Sequence, residues 1–86
     1  MKLKAAVILE QGVTFAVVAV SSNVTRYTSR AIGVRMELQK VFRNMPIILM
    51  SLDNNRQPHF YGRRDIVEFL NSIRLDQIPW RTYDFY

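Results

Sequence analysis

The sequence predicts an α+β fold with α/β character: a single ββαββα domain, residues 1–86, in which a four-stranded mixed sheet carries two helices on one face. Three observations lead there. Ile47, Ile48, Leu49 and Met50 form an unbroken apolar run between Pro46 and the turn cluster Asp53-Asn54-Asn55, as expected of a strand covered on both faces. Val13 to Val20 is a second run, nearly apolar throughout and rich in β-branched residues. Between the two, Ala31, Val34, Leu38, Val41, Phe42 and Met45 recur at helical spacing.

In chain order, residues 2–9 and 13–21 read as two strands joined by Glu10-Gln11-Gly12, where Gly12 supplies the positive φ of a tight hairpin. The lysines and apolar residues of the first strand imitate a secretory signal, but Glu10-Gln11-Gly12 interrupts the apolar stretch, and a hairpin fits better. The stretch is also too broken to span a bilayer. Ser21 to Ser29 is rich in hydroxyls, and Thr28 or Ser29 is expected to cap a helix over about 29–44. That helix should turn Arg35, Gln39, Lys40 and Arg43 to solvent and pair Glu37 with Lys40.

Pro46 then admits the 46–52 strand, and a short strand at 58–62 follows antiparallel across Asn54-Asn55. Pro58 cannot donate to a ladder, which marks this strand as an edge. A helix over 65–73 presents Ile66, Val67, Leu70 and Ile73, with Phe69 at its flank. The crossover from the second strand through the first helix to the third strand makes those two strands parallel. Leu75 to Tyr86 has neither a helical nor a strand pattern. It crowds Trp80, Tyr83, Phe85 and Tyr86, so this aromatic tail is expected to pack on the core or on a second subunit.

With 86 residues the chain buries only roughly 60–65% of its unfolded surface, and it has no cysteine to staple the core. Thiol chemistry and cysteine-ligated metals are thereby excluded, and a cytoplasmic setting is the natural expectation. Twelve Lys and Arg against seven Asp and Glu favour acidic partners, although only Arg63-Arg64 are adjacent among the basic residues.

The segments GVTFAVVAV, MPIILMSLD, FYGRRDIVEFL and IPWRTYDF resemble a group of small bacterial proteins of unknown function with this same layout, a resemblance that implies a fold and no activity. More loosely, Pro46, the 47–52 strand, Gly62 and the 65–73 helix resemble the C-terminal half of thioredoxin-like domains. That resemblance raises a cis Met45–Pro46 bond as an option. Without cysteine it implies no redox activity.

No catalytic constellation, metal set or cofactor motif is visible. His59 is the only histidine; Asp53 or Asp65 is within sequence reach of it, and a surface or turn histidine is the simpler reading. Ser22, Thr25, Arg26, Thr28, Ser29 and Arg30 join a strand end to a helix start, where α/β sheets place ligands, and would suit a small anion or nucleotide. No phosphate-loop glycines accompany them, and plain caps and turns explain the same residues. Tyr61, Arg63 and Arg64, with Arg26, Arg30 and Arg81, would suit nucleic acid, or else the arginines pair with Asp65 and Glu68. Tyr61, Arg63, Arg64, Trp80, Tyr83, Phe85 and Tyr86 together are the expected interaction surface. The leading expectation is a non-enzymatic, cytoplasmic, self-associating protein-binding domain, a homodimer with no membrane attachment; nucleic-acid binding is the alternative.

Overall fold

The two inner strands are apolar at every position but Thr14 and Ser51, so both of their faces must be covered, and this requirement shapes the molecule. The structure, a computed structural model, describes residues 2–84. Its elements are β1 (Lys2–Glu10), β2 (Val13–Ala19), α1 (Ser22–Arg26), α2 (Thr28–Gln39), β3 (Ile47–Leu52), β4 (Pro58–Tyr61), α3 (Arg64–Asn71), a 3₁₀ turn (Leu75–Gln77) and β5 (Arg81–Asp84). The strands form one five-stranded mixed sheet in the order β4-β3-β2-β1-β5. β2 and β3 are parallel, as the crossover requires, with Val17 opposite Ile48 and Val18 opposite Leu49. The remaining neighbours are antiparallel.

Two expectations need correction. The sheet has five strands rather than four, because Arg81–Asp84 of the tail pairs with Lys2–Ala5 on the outer side of β1. The helices also lie on opposite faces rather than on one. Ala31 and Leu38 of α2 pack with Ala5, Ala16, Val18, Ile47 and Leu49. Ile66 and Leu70 of α3 pack with Ala6, Phe15, Val17, Ile48 and Met50. Successive strand side chains point to opposite faces, so residues such as Val17 and Ile48 can be covered only from the side that α2 does not reach.

The local chemistry explains the boundaries. At the β1–β2 hairpin Gln11 and Gly12 have φ of 51° and 77°, the paired positive values that match the twist of the strands. The hydroxyl-rich segment is not a plain loop: Ser22–Arg26 forms α1, and Tyr27 is the one extended residue between it and α2. Thr28 and Ser29 therefore cap nothing, and α2 starts without a side-chain cap. The helix stops at Gln39 instead of continuing to 44. The Gln39 side-chain amide donates to the carbonyls of Phe42 and Met45, both at 2.8 Å, and Asn44 takes a left-handed φ of 63°. This tight exit turns Phe42 into the core, where its ring meets that of Tyr83 edge-on at 5.5 Å, a contact worth about 1 kcal/mol. The Met45–Pro46 bond is trans. Glu37 pairs with Lys40 at 3.3 Å as expected, but both side chains are exposed and the pair adds little.

β4 is an edge strand, as Pro58 requires. Beyond it Gly62 adopts φ of 155°, and a Cβ there would collide with Ile48 Cδ1 and stand 3.0 Å from the Ile47 carbonyl oxygen. A side chain at this position would strain the backbone and wedge β3 away from the start of α3. Gly62→Ala should lower stability by about 2 kcal/mol or more, read from urea unfolding; an unchanged midpoint would show that the junction is not tightly packed.

Candidate functional site

At the carboxyl ends of the parallel strands β2 and β3, a cleft of about 350 Å³ opens between α1 and the β3–β4 hairpin. This is the end of an α/β sheet where side chains from separate elements converge. Ser22, Thr25 and Arg26 enter from α1, Ser51, Asp53 and Asn54 from β3 and its turn, and His59 and Tyr61 from β4. Thr25 Oγ1 and Ser51 Oγ lie 2.7 Å apart and share a hydrogen bond, which satisfies the buried Ser51 hydroxyl and ties α1 to β3.

Asp53 organises the far wall. Its Oδ1 accepts the backbone N–H groups of Asn55 at 2.8 Å and Gln57 at 2.9 Å, and its Oδ2 lies 2.9 Å from His59 Nε2. These contacts, the Gln57 N–H first, hold its carboxyl below the usual 3.8. The register explains the grouping. Ser51 is directly opposite His59 across the β3–β4 ladder, so both project to the α1 side, and the turn folds Asp53 back on His59. His59 is thus a surface histidine near the start of β4, with a side chain 63% exposed. Among the described residues it makes no hydrogen bond to a hydroxyl, so no activated nucleophile is assembled. No group of three or more His, Asp or Glu side chains among them is placed to hold a metal ion.

The residues singled out from the sequence divide accordingly. Ser22, Thr25, Arg26 and Tyr61 come together in the cleft. Thr28, Ser29 and Arg30 sit exposed at the start of α2, where Arg30 lies 5.2 Å from the Tyr27 ring centre. Arg63 pairs with Asp65 at 2.8 Å and Arg64 faces Glu68 at 3.6 Å. Arg35, expected on the solvent face, instead lies over the Tyr61 ring at 5.7 Å and occupies one side of that stacking surface. Of the basic and aromatic residues named for nucleic acid, Arg26 and Tyr61 share the cleft, whereas Arg63 and Arg64 face carboxylates of α3. Trp80 and Tyr83 pack within the chain, on the α3 and α2 sides respectively; Phe85 and Tyr86 lie outside the described residues. Asp53 was recognisable as a turn residue and His59 as a surface or turn histidine, whereas Ser51 lay within the expected 46–52 strand, and the meeting of all three with α1 depends on the sheet register.

A second surface lies on the flank of α2. Ile32, Arg35, Met36 and Gln39 follow the i, i+3, i+4, i+7 pattern and line a groove of about 430 Å³. Because Arg35 reaches Tyr61 of the edge strand β4, this flank overhangs the open edge of the sheet. Arg35 Nε is buried there without a hydrogen-bond partner among the described residues. No helix among the described residues is long and apolar enough to cross a membrane.

No protein-family model, curated protein or solved structure matches the chain.

Because the folded carboxyl of Asp53 titrates below its unfolded value, its contribution to the turn is complete above about pH 4 and is lost as pH falls through the lower folded value. In an NMR acid titration the Asn55 and Gln57 amides should move together with a midpoint under 3.8; a midpoint at or above that value would contradict the bonding described.

Proposed function

We propose that the chain is a non-enzymatic binding domain acting by protein–protein contact, with a second copy of itself as its partner. The observation that carries this reading is the α2 flank. Ile32 and Met36, one helical turn apart, are 46% and 67% exposed beside a strand that has no neighbour on its outer side. A surface helix ordinarily gathers its apolar residues on the buried face; α2 carries them around its circumference, as helices covered on more than one side do.

The distribution of exposed apolar residues supports the same surface. Among the described residues, Tyr27, Ile32, Met36 and Val41 are exposed and belong to or flank α2. Val7 and Leu9 are exposed on the same side of the sheet, but on β1, away from β4, and Leu52 follows the register of Ile48 and Met50 toward α3. Exposed apolar side chains gathered along one helix favour an interaction surface there. Two copies meeting through β4 would continue the sheet across a two-fold axis, satisfy both open edges and bring the two α2 flanks together. For a cysteine-free chain of this size, assembly also adds stability that the single core lacks.

The proposal differs from the tail-mediated dimer expected from sequence, since Trp80 and Tyr83 are already engaged within the fold. Sedimentation at micromolar concentration should give about twice the 10.1 kDa chain mass, and Met36→Glu should return the single-chain mass with an unchanged circular dichroism spectrum. A wild-type chain that sediments at 10.1 kDa throughout would overturn the reading.

A further inference from the structure

We infer that the cleft between α1 and the β3–β4 hairpin binds a small organic phosphomonoester, its phosphate held by Arg26 and the Ser22 hydroxyl. The cleft shares β4 with the proposed pairing edge, but Arg26 and Ser22, which would hold the phosphate, belong to α1, and the inference does not depend on self-association.

The distribution of hydrogen-bonding capacity decides the ligand's charge. The cleft's only carboxylate, Asp53, already accepts from two backbone N–H groups and lies against His59. Arg26, by contrast, has no ion pair or hydrogen bond among the described residues, although it lines the cleft. Beside it stand the Ser22 hydroxyl and the Thr25–Ser51 pair. In that pair Thr25 donates to the Ser22 carbonyl at 3.4 Å and the Ser51 O–H donates to Thr25 Oγ1, so both protons are spent within the fold. The unused donors on the α1 wall of the cleft are therefore the Arg26 guanidinium and the Ser22 hydroxyl. Such a set recognises an oxyanion, and a guanidinium matches phosphate oxygens two at a time. The net charge of +5 draws anions to the molecule as a whole.

The shape decides the rest of the ligand. A volume of about 350 Å³ exceeds what a bare phosphate fills and falls in the range of small-molecule sites. The wall on the hairpin side is less polar: Tyr61 lies on the cleft's face of the sheet, and Leu52, 42% exposed at the end of β3, borders the rim. A phosphate at Arg26 would leave the organic part of its ester against that wall.

The test is an NMR titration of the intact chain with three probes: phenyl phosphate, inorganic phosphate and benzoate. Phenyl phosphate should saturably shift the amides of residues 22–26, 51–54 and 59–61, and bind more tightly than either of the others. Arg26→Ala, a change at an exposed side chain, should weaken that binding by about tenfold or more, whereas Arg30→Ala, outside the cleft, should leave it unaltered. Absence of saturable shifts with phenyl phosphate would overturn the inference. So would equal affinity for inorganic phosphate, equal affinity for benzoate, or an unchanged affinity in Arg26→Ala.

Discussion

The parallel pairing of β2 with β3 is the constraint from which the remaining structure follows. Val17 against Ile48 and Val18 against Leu49 place fully buried side chains on both faces of the same two strands. Apolar surface of that extent stabilises only when water is removed from both sides, at roughly 25 cal/mol for each Å². A single helical layer cannot do this. The chain meets the requirement by sending α1 and α2 over one face during the crossover and α3 over the other after the β3–β4 hairpin. Gly62 sits at the turn between these courses, where the backbone passes too close to Ile47 and Ile48 for any side chain.

The lateral strands serve the same core. Ala5, Ala16 and Ala31 are small and buried in the cluster that also holds Phe42, whose ring meets Tyr83 edge-on. β5 thereby does two things: it covers part of the outer edge of β1 and supplies an aromatic wall to the α2 side. On the opposite face, Phe69 meets Phe15 edge-on at 6.4 Å, and Ile78 and Trp80 extend the cover that α3 begins. The chain passes from the α3 side back to the sheet edge through the 3₁₀ turn, and Trp80 and Tyr83 of the aromatic tail pack, partly buried, on the two sides of the core.

The inner strands, both hairpins, the edge position of β4 and the last helix were legible because each rests on a local pattern: β-branched runs, a glycine turn, a proline in a strand, apolar residues at helical spacing. β5 was not, because Arg81-Thr82-Tyr83-Asp84 becomes a strand only through pairing with Lys2–Ala5, some eighty residues earlier in the chain. The early end of α2 was hidden for a related reason. Phe42 continues the helical spacing, yet its burial against Tyr83 requires the backbone to leave the helix. The side of the sheet chosen by each helix was undetermined as well, since an apolar run states that two faces are covered without stating by what. In the cleft, Ser22, Thr25 and Arg26 could be noted as a polar group before a helix. Their juxtaposition with Ser51, Asp53 and His59 arises from the Ser51–His59 register and the tight turn at Asp53, which no single stretch of sequence contains.

Double coverage of the inner strands is tested most directly by truncating consecutive residues of β3, which point to opposite faces. Ile48 and Leu49 are each fully buried, one under α3 and the other under α2. Urea unfolding of Ile48→Ala and of Leu49→Ala should show both losing stability by about 2–4 kcal/mol. A near-neutral effect at either position would mean that its face of the sheet is open, and the layered arrangement described above would be wrong.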